Sequence, residues 1–373
     1  KNSKTGEIGP FSTYINMIES LASQAAVAIT NKNLVRELEV LFESFIKLIA
    51  TAIDKKSAYT GGHCSRVPEI TMMLADAVGK IKSGTYKDFS MTPDERYELY
   101  IAAWLHDCGK VATPTHVVDK STKLETIFDR IDIINKKFEI LSRDKEIEFL
   151  KKTYKLKNSN KTALTKLKDE YKKQMEQLDE DKAFLEQCNI GGEFMAEELQ
   201  KRVIQISKYP FKEKSKKKSF LSKDEVRNLT IPKGTLLPEE REIINSHISI
   251  TIDMLEQLPY PEHLKNIPEF AGGHHEKLDG TGYPRGLTGN QMSPQAKMIA
   301  IADIFEALTA ADRPYKEGKK LSETMRIMGF MNKDNHIDKD LFNIFVKSGV
   351  YKKYAKKFVK PSQIDKIDES AIL

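Results

Sequence analysis

An all-α helical bundle is the fold class that this sequence predicts. Apolar residues recur at three- and four-residue intervals along most of the chain. Strand-like alternation is scarce. The breaks between periodic stretches fall at glycines and prolines, as at Gly61-Gly62, Gly109, Pro210, Pro238 and Arg313-Pro314. With 373 residues, 40% of them apolar, the chain can bury a large core and fill roughly two domains.

Composition excludes several classes. A formal charge of +6 suits an anionic ligand and equally a lysine-rich solvated surface. Cys64, Cys108 and Cys188 form no CxxC pair, so neither a zinc ribbon nor a disulfide framework is expected. Reduced cytoplasm is the simplest compartment. No apolar run reaches the roughly 18 residues of a membrane span, and no signal peptide is visible. The chain opens on Lys1, which reads as a piece of a longer protein and leaves room for an upstream membrane anchor.

In chain order, residues 1–33 close on a helix with Ile18, Leu21, Ala25 and Ala28 on one face. Its LASQAAVAI run resembles the last helix of a GAF sensor domain, which implies a sensor upstream in the same chain. Residues 34–56 form a linker or signalling helix, with Val40, Leu41, Phe45, Leu48, Ile49 and Ile53 at helical spacing. A helix then starts near His63 and runs through Leu74 and Val78. Another covers 95–107 and ends at Gly109.

Residues 121–235 read as an insertion. Leu124, Ile127, Ile131, Ile134, Phe138 and Leu141 are spaced 3, 4, 3, 4, 3, a heptad seam. Leu164, Leu167, Tyr171 and Leu178 continue it after the polar stretch 155–161, so two antiparallel helices form a hairpin arm. A homodimer through this arm or through the linker helix is the expected quaternary contact. Residues 208–240 are lysine-rich, and Lys212, Lys214, Lys216, Lys217 and Lys218 predict a mobile solvated loop. Only Phe211 and Phe220 interleave them, so duplex nucleic acid is not an expected partner. From Pro238 a helix returns with Ile243, Ile244, His247, Ile248, Thr251 and Leu255 on one face. The glycine-rich turn 279–284 follows, then a helix over 298–308 and a tail over 351–373.

The chemistry sits in histidines and acids. Only eight histidines occur, and His106-Asp107 and His274-His275 are adjacent pairs. Asp303 lies among alanines and isoleucines in IAIADIFEAL, where an acid is costly to bury unless paired or metal-bound. Imidazoles and carboxylates without thiolates favour iron, manganese or similar metals. A bridging carboxylate can hold two ions about 3.5–4 Å apart, as two-metal phosphoester hydrolysis requires. His116, His263 and His336 read as structural.

The segments HDCGK at 106–110, HHEKLDGTGYP at 274–284 and ADIFEALTAADRPYK at 302–316 together resemble the HD-GYP family of the HD phosphohydrolase superfamily. The likeness spans 53–120 and 236–322, within a catalytic domain taken as 57–350. It implies an HD-type helical bundle with a dinuclear metal centre, two divalent ions (iron, or else manganese), and hydrolysis of cyclic di-GMP to linear pGpG and onward to GMP by a metal-bridging hydroxide. Position by position, it implies His63, His106, Asp107 and Asp303 around one ion and Asp107, His247, His274 and His275 around the other. Asp107 and Lys110 carry the catalytic roles. Lys110, Tyr283, Arg313 and Lys316 contact the substrate. Two departures stand out. Tyr59 replaces a glutamate that holds a third metal in some members, so two ions are expected. The stretch between Asp303 and Arg313 is one residue longer than usual, which unsettles the placement of Arg313. Rival readings are a mixed cyclic GMP–AMP substrate, a nucleoside polyphosphate substrate, and a receptor that binds a cyclic dinucleotide without cleaving it.

Overall fold

A computed structural model of the chain describes residues 11–57, 61–156, 161–192, 194–213, 216–311 and 318–373, without the side chains of 11–13 and 212–217. Helix α1, Phe11–Lys56, runs unbroken through the expected boundary at residue 33. Only its last third packs, through Ile46, Ala50 and Ile53, with Phe42 and Ile49 alongside. Val40, Leu41, Phe45 and Leu48, which stand at helical spacing in the sequence, are 59%, 65%, 59% and 63% exposed. The helix carries apolar residues on two faces, and one neighbouring bundle can cover only one of them.

Helix α2, His63–Val78, follows Gly62, whose φ of 80° turns the chain into it. Helix α3, Pro93–Leu105, starts on a Thr92–Glu95 capping box with Pro93 in its first turn. A short 3-10 helix, Cys108–Ala112, and helix α4, Thr115–Val118, lead to the insertion.

The insertion holds α5, Ile131–Lys155, and α6, Lys161–Ile190, the expected hairpin. Phe149 stacks on Tyr171 at 4.5 Å toward its tip. The seam begins later than expected: Ile127 is 93% exposed, because the chain is not helical before Ile131. Helix α7, Glu197–Ile206, comes next. The lysine-rich stretch is not a loop throughout. Strands β1, Pro210–Glu213, and β2, Lys216–Ser219, pair antiparallel, and α8, Lys223–Leu229, follows on a Ser222–Glu225 capping box. Phe220 and Leu221 are buried with Leu124, Phe138, Leu178, Leu185, Val203 and Leu229 in a core separate from the main one. Phe138 and Phe211 meet the Phe220 ring edge to face, at 4.7 and 5.9 Å.

The chain returns through α9, Pro238–Glu256; α10, Ile267–Gly272; α11, Pro294–Thr309; α12, Leu321–Lys333; α13, Lys339–Lys347; and α14, Val350–Phe358. These helices share one core with α2 and α3. Tyr351, Tyr354 and Ile372 are buried in it, so residues beyond 350 belong to the bundle rather than to a tail. Lys120, buried where insertion meets bundle, bonds both carboxylate oxygens of Glu240 on α9 at 2.8 Å and Asn228 on α8 at 3.0 Å.

Two cores predict two levels of protection. Phe220→Ala should cost about 3–5 kcal/mol of local stability. Hydrogen exchange should accelerate across α5–α8 while α2 and α11 keep their protection. Uniform acceleration would show a single cooperative core.

Candidate metal centre

Five histidines and two aspartates meet between the two halves of the bundle. His63 opens α2, His106 ends α3, and Asp107 precedes the 3-10 helix. His247 lies on α9, His274 and His275 follow α10, and Asp303 lies on α11. His106, Asp107, His247 and His274 are at most 2% exposed.

Asp107 sits at the centre. Its Oδ2 lies 3.1 Å from His63 Nε2 and 3.3 Å from His106 Nε2. Its Oδ1 lies 3.1 Å from His247 Nε2 and 3.9 Å from His274 Nε2. Asp303 Oδ1 is 3.2 Å from His63 Nε2 and 3.9 Å from His106 Nε2. Ligand atoms of His247, His274 and His275 form a second close group, within 4.8 Å of one another.

The other ring nitrogens settle what these Nε2 atoms are. Nδ1 of His106, His247 and His274 faces the backbone carbonyls of Ala103 at 2.8 Å, Ile244 at 2.5 Å and Ala271 at 2.6 Å. A carbonyl only accepts, so each Nδ1 donates and each neutral ring presents a bare lone pair at Nε2. Those lone pairs point at a carboxylate. Nε2 of His247 and His274, and Oδ1 of Asp107, are buried without a hydrogen-bond partner. Acceptors crowded around acceptors repel unless a cation sits among them. Backbone-anchored imidazoles are also the usual arrangement of metal-ligating histidines. The donor set therefore fits a divalent metal. Burial pushes the Cys64 and Cys108 thiols up, the latter to about 11, so both stay protonated and outside the donor set.

Charge is balanced locally. Burial disfavours ionised Asp107 and Asp303. Lys110 nonetheless holds the first far below the usual carboxylate range, and His63 does so for the second. Burial also opposes a charged His63, but the Glu306 carboxylate and hydrogen bonds to Asp107, Asp303 and Glu306 lift it well above the ordinary value. Burial, with neighbouring His275 and His106, drives His274 well below its usual value. Burial and His247 bring His275 down to about 4. Lys110, its ammonium on Asp107 Oδ2, is held up by Asp107 and Asp303 against burial.

The site also uses residues that the motifs did not assign. Glu306, one helical turn after Asp303, faces His63 Nδ1 at 2.5 Å and accepts from Arg66 Nε at 2.6 Å. His63 and Arg66 bring its carboxyl down to about 2 against burial. An acid inside an apolar helix was the signal for Asp303, and it applied to Glu306 as well. Gly109 donates to Thr251 Oγ1 at 2.9 Å, and a Cβ there would fall 2.0 Å from the carbonyl oxygen of His247. Only glycine lets the HDCGK segment lie this close to α9. Glu276 accepts from the backbone of Arg285 and Leu287, closing the turn in which a Cβ on Gly282 would fall 2.3 Å from Lys277 N. That turn lays Tyr283 over His275 at 4.9 Å. Tyr59, Arg313 and Lys316 lie outside the described residues. His116 and His263 are exposed, away from the centre.

His63 must give up a proton before its Nε2 can ligate. Because its affinity for that proton is raised well above the ordinary 6.5, proton and metal compete through the neutral range. Metal affinity should therefore fall as pH drops from 8 to 6. Titration with manganese at fixed pH values checks the slope, and a flat response would remove His63 from the ligand set.

Comparison with known proteins agrees with this geometry. Two HD domain family models match, one over residues 60–184 and the other over residues 223–341. Both stretches contribute to the bundle core, and the gap between the matches falls within the insertion. A 3'3'-cGAMP-specific phosphodiesterase of Vibrio cholerae is 46% identical over 82 residues, 22% of this chain and 19% of the relative. A cyclic di-GMP phosphodiesterase of Pseudomonas aeruginosa is 47% identical over 79 residues, 21% and 18% of the two chains. One from Thermotoga maritima is 41% identical over 93 residues, 25% of each. The likeness thus covers a quarter or less of each of these relatives. The paired HD matches and these phosphodiesterase relatives support membership of the HD phosphohydrolase family.

Proposed function

We propose that this chain hydrolyses cyclic di-GMP at the Asp107 centre, with two divalent ions, iron or manganese, held there. The observation that carries this reading is the division of Asp107: one oxygen faces His63 and His106, the other His247 and His274. His63, His106, Asp107 and Asp303 would hold one ion, and Asp107, His247, His274 and His275 the other. When bound, such ions supply an activated water and positive charge for the phosphate oxygens.

The protein's own part is positioning and charge. Carbonyl-anchored imidazoles keep the donor atoms in place without reorganisation. Lys110, 22% exposed at its side chain and already beside Asp107, can offer its ammonium to a non-bridging phosphate oxygen. Tyr283, packed on His275, supplies a wall at the mouth. Water adds to phosphorus, the bond to the ribose 3′ oxygen breaks, and that oxygen leaves with a proton. The product is linear pGpG, and a second round gives GMP. Two Vibrio relatives are named 3'3'-cGAMP-specific phosphodiesterases, which makes 3'3'-cGAMP the alternative substrate.

Purified protein loaded with iron(II) or manganese(II) should convert cyclic di-GMP to the linear dinucleotide, followed by chromatography beside 3'3'-cGAMP. Asp107→Ala should abolish turnover, and Lys110→Met should lower kcat by about 10²–10³-fold. Binding without any linear product would make the protein a receptor.

A second copy of the chain is the proposed partner of α1. Leu34, Leu38, Leu41, Phe45 and Leu48 are each more than half exposed at spacings of 4, 3, 4, 3. That spacing suits a self-paired coiled coil, and Asn31 falls in phase at a position where one polar residue sets a parallel dimer. Leu38→Glu together with Leu41→Glu should halve the mass seen by light scattering. A wild-type monomer would end this reading.

A further inference from the structure

Lys56, the last residue of α1, lies outside the metal centre yet touches its backbone. Its ammonium donates to the carbonyl oxygens of Lys110 at 3.2 Å, Thr113 at 2.7 Å and Val111. These carbonyls lie at and just beyond the end of the 3-10 helix Cys108–Ala112, and that of Lys110 also accepts from the Thr113 amide at 3.2 Å. An ammonium has three hydrogens, and three acceptors converge on it. Two residues earlier, Asp54 Oδ1 accepts from the backbone N–H of Cys64 at 3.3 Å, next to His63. One turn of α1 thus grips both helical segments of the site that carry His63 and Lys110, with opposite charges on the two grips.

We infer that Lys56 is a positioning residue: it fixes the backbone of Lys110, so that the Lys110 ammonium meets the scissile phosphate, and it makes the last turn of α1 a mechanical part of the site. The inference rests on the hydrolytic reading for its effect on rate, and on geometry alone for its effect on the 110–113 backbone. Lys110 itself hydrogen-bonds back to Asp107 O through its amide at 3.0 Å, so a shift of this segment moves the side chain and its anchor together. Lysine suits the place better than arginine, whose planar fork cannot point three donors at three carbonyls around one atom.

The test uses Lys56→Met, which keeps the length of the side chain and removes its charge. Hydrogen bonds from a charged donor are worth enough that exchange of the Lys110 and Thr113 amides should speed up about tenfold or more. Displacement of a catalytic group on this scale should lower kcat by about 10- to 100-fold, with KM within about twofold and manganese content unchanged. Lys56→Cys in a Cys188→Ser background, treated with 2-bromoethylamine, rebuilds an ammonium at nearly the same reach and should restore both readouts. Unchanged exchange in Lys56→Met overturns the inference. So does an equal loss of kcat that the rebuilt ammonium does not restore. If the wild-type protein cleaves no cyclic dinucleotide, the hydrolytic reading fails, and the exchange arm still decides the role of Lys56.

Discussion

The architecture turns on one carboxylate buried among imidazole lone pairs. Asp107 is 1% exposed, and imidazole nitrogens from four different segments face it. Three of the surrounding rings are locked by carbonyls into the tautomer that aims a lone pair inward. An arrangement of this kind is unfavourable by itself, since acceptors crowd acceptors in a poorly screening interior. It persists because the bundle around it is rigid: Met298, Ile301, Ala302 and Phe305 on α11 are completely buried, as are Val67, Ile70 and Leu74 on α2. Packing energy from those helices offsets the local cost of holding the ligands apart.

The same constraint explains the small residues of the motifs. Gly109 is there because the carbonyl of His247 occupies the space of a side chain, and Gly282 because the backbone at Glu276 and Lys277 does so. Glycines that read as a turn in the sequence are close approaches in the fold. Gly109 lets two segments far apart in the sequence press their backbones together, which puts Asp107 within reach of His247.

Much of this was legible in the sequence, for identifiable reasons. Four of the seven residues of the centre, His106, Asp107, His274 and His275, stand in the two short dense strings HDCGK and HHEKLDGTGYP. The hairpin of the insertion followed from apolar spacing in α5 and α6. The rest depended on tertiary information. Phe211 and Phe220 are single aromatics in a run of lysines, and only the pairing of β1 with β2 and contact with Phe138 make them core. On α1, helical spacing marked Val40 to Ile53 as periodic and could not say which of them the bundle covers. The Nδ1 partners are backbone carbonyls, which leave no mark in a sequence. Lys56 is an ordinary helix-terminal lysine until the carbonyls of Lys110, Val111 and Thr113 are seen converging on it.

The insertion has a bearing on assembly. Asp107 and His247 are 140 positions apart, and joining them directly would close a long loop. Folded around its own core, the insertion brings its two ends together: Thr235 Oγ1 donates to the carbonyl of Lys120 at 3.0 Å. What remains to be closed is only the two short stretches outside that junction. By loop-closure entropy this shortening is worth about 1–2 kcal/mol. An appendage of some hundred residues thus acts, for the polypeptide still seeking its native shape, as a tight turn between the two halves of its histidine–aspartate centre.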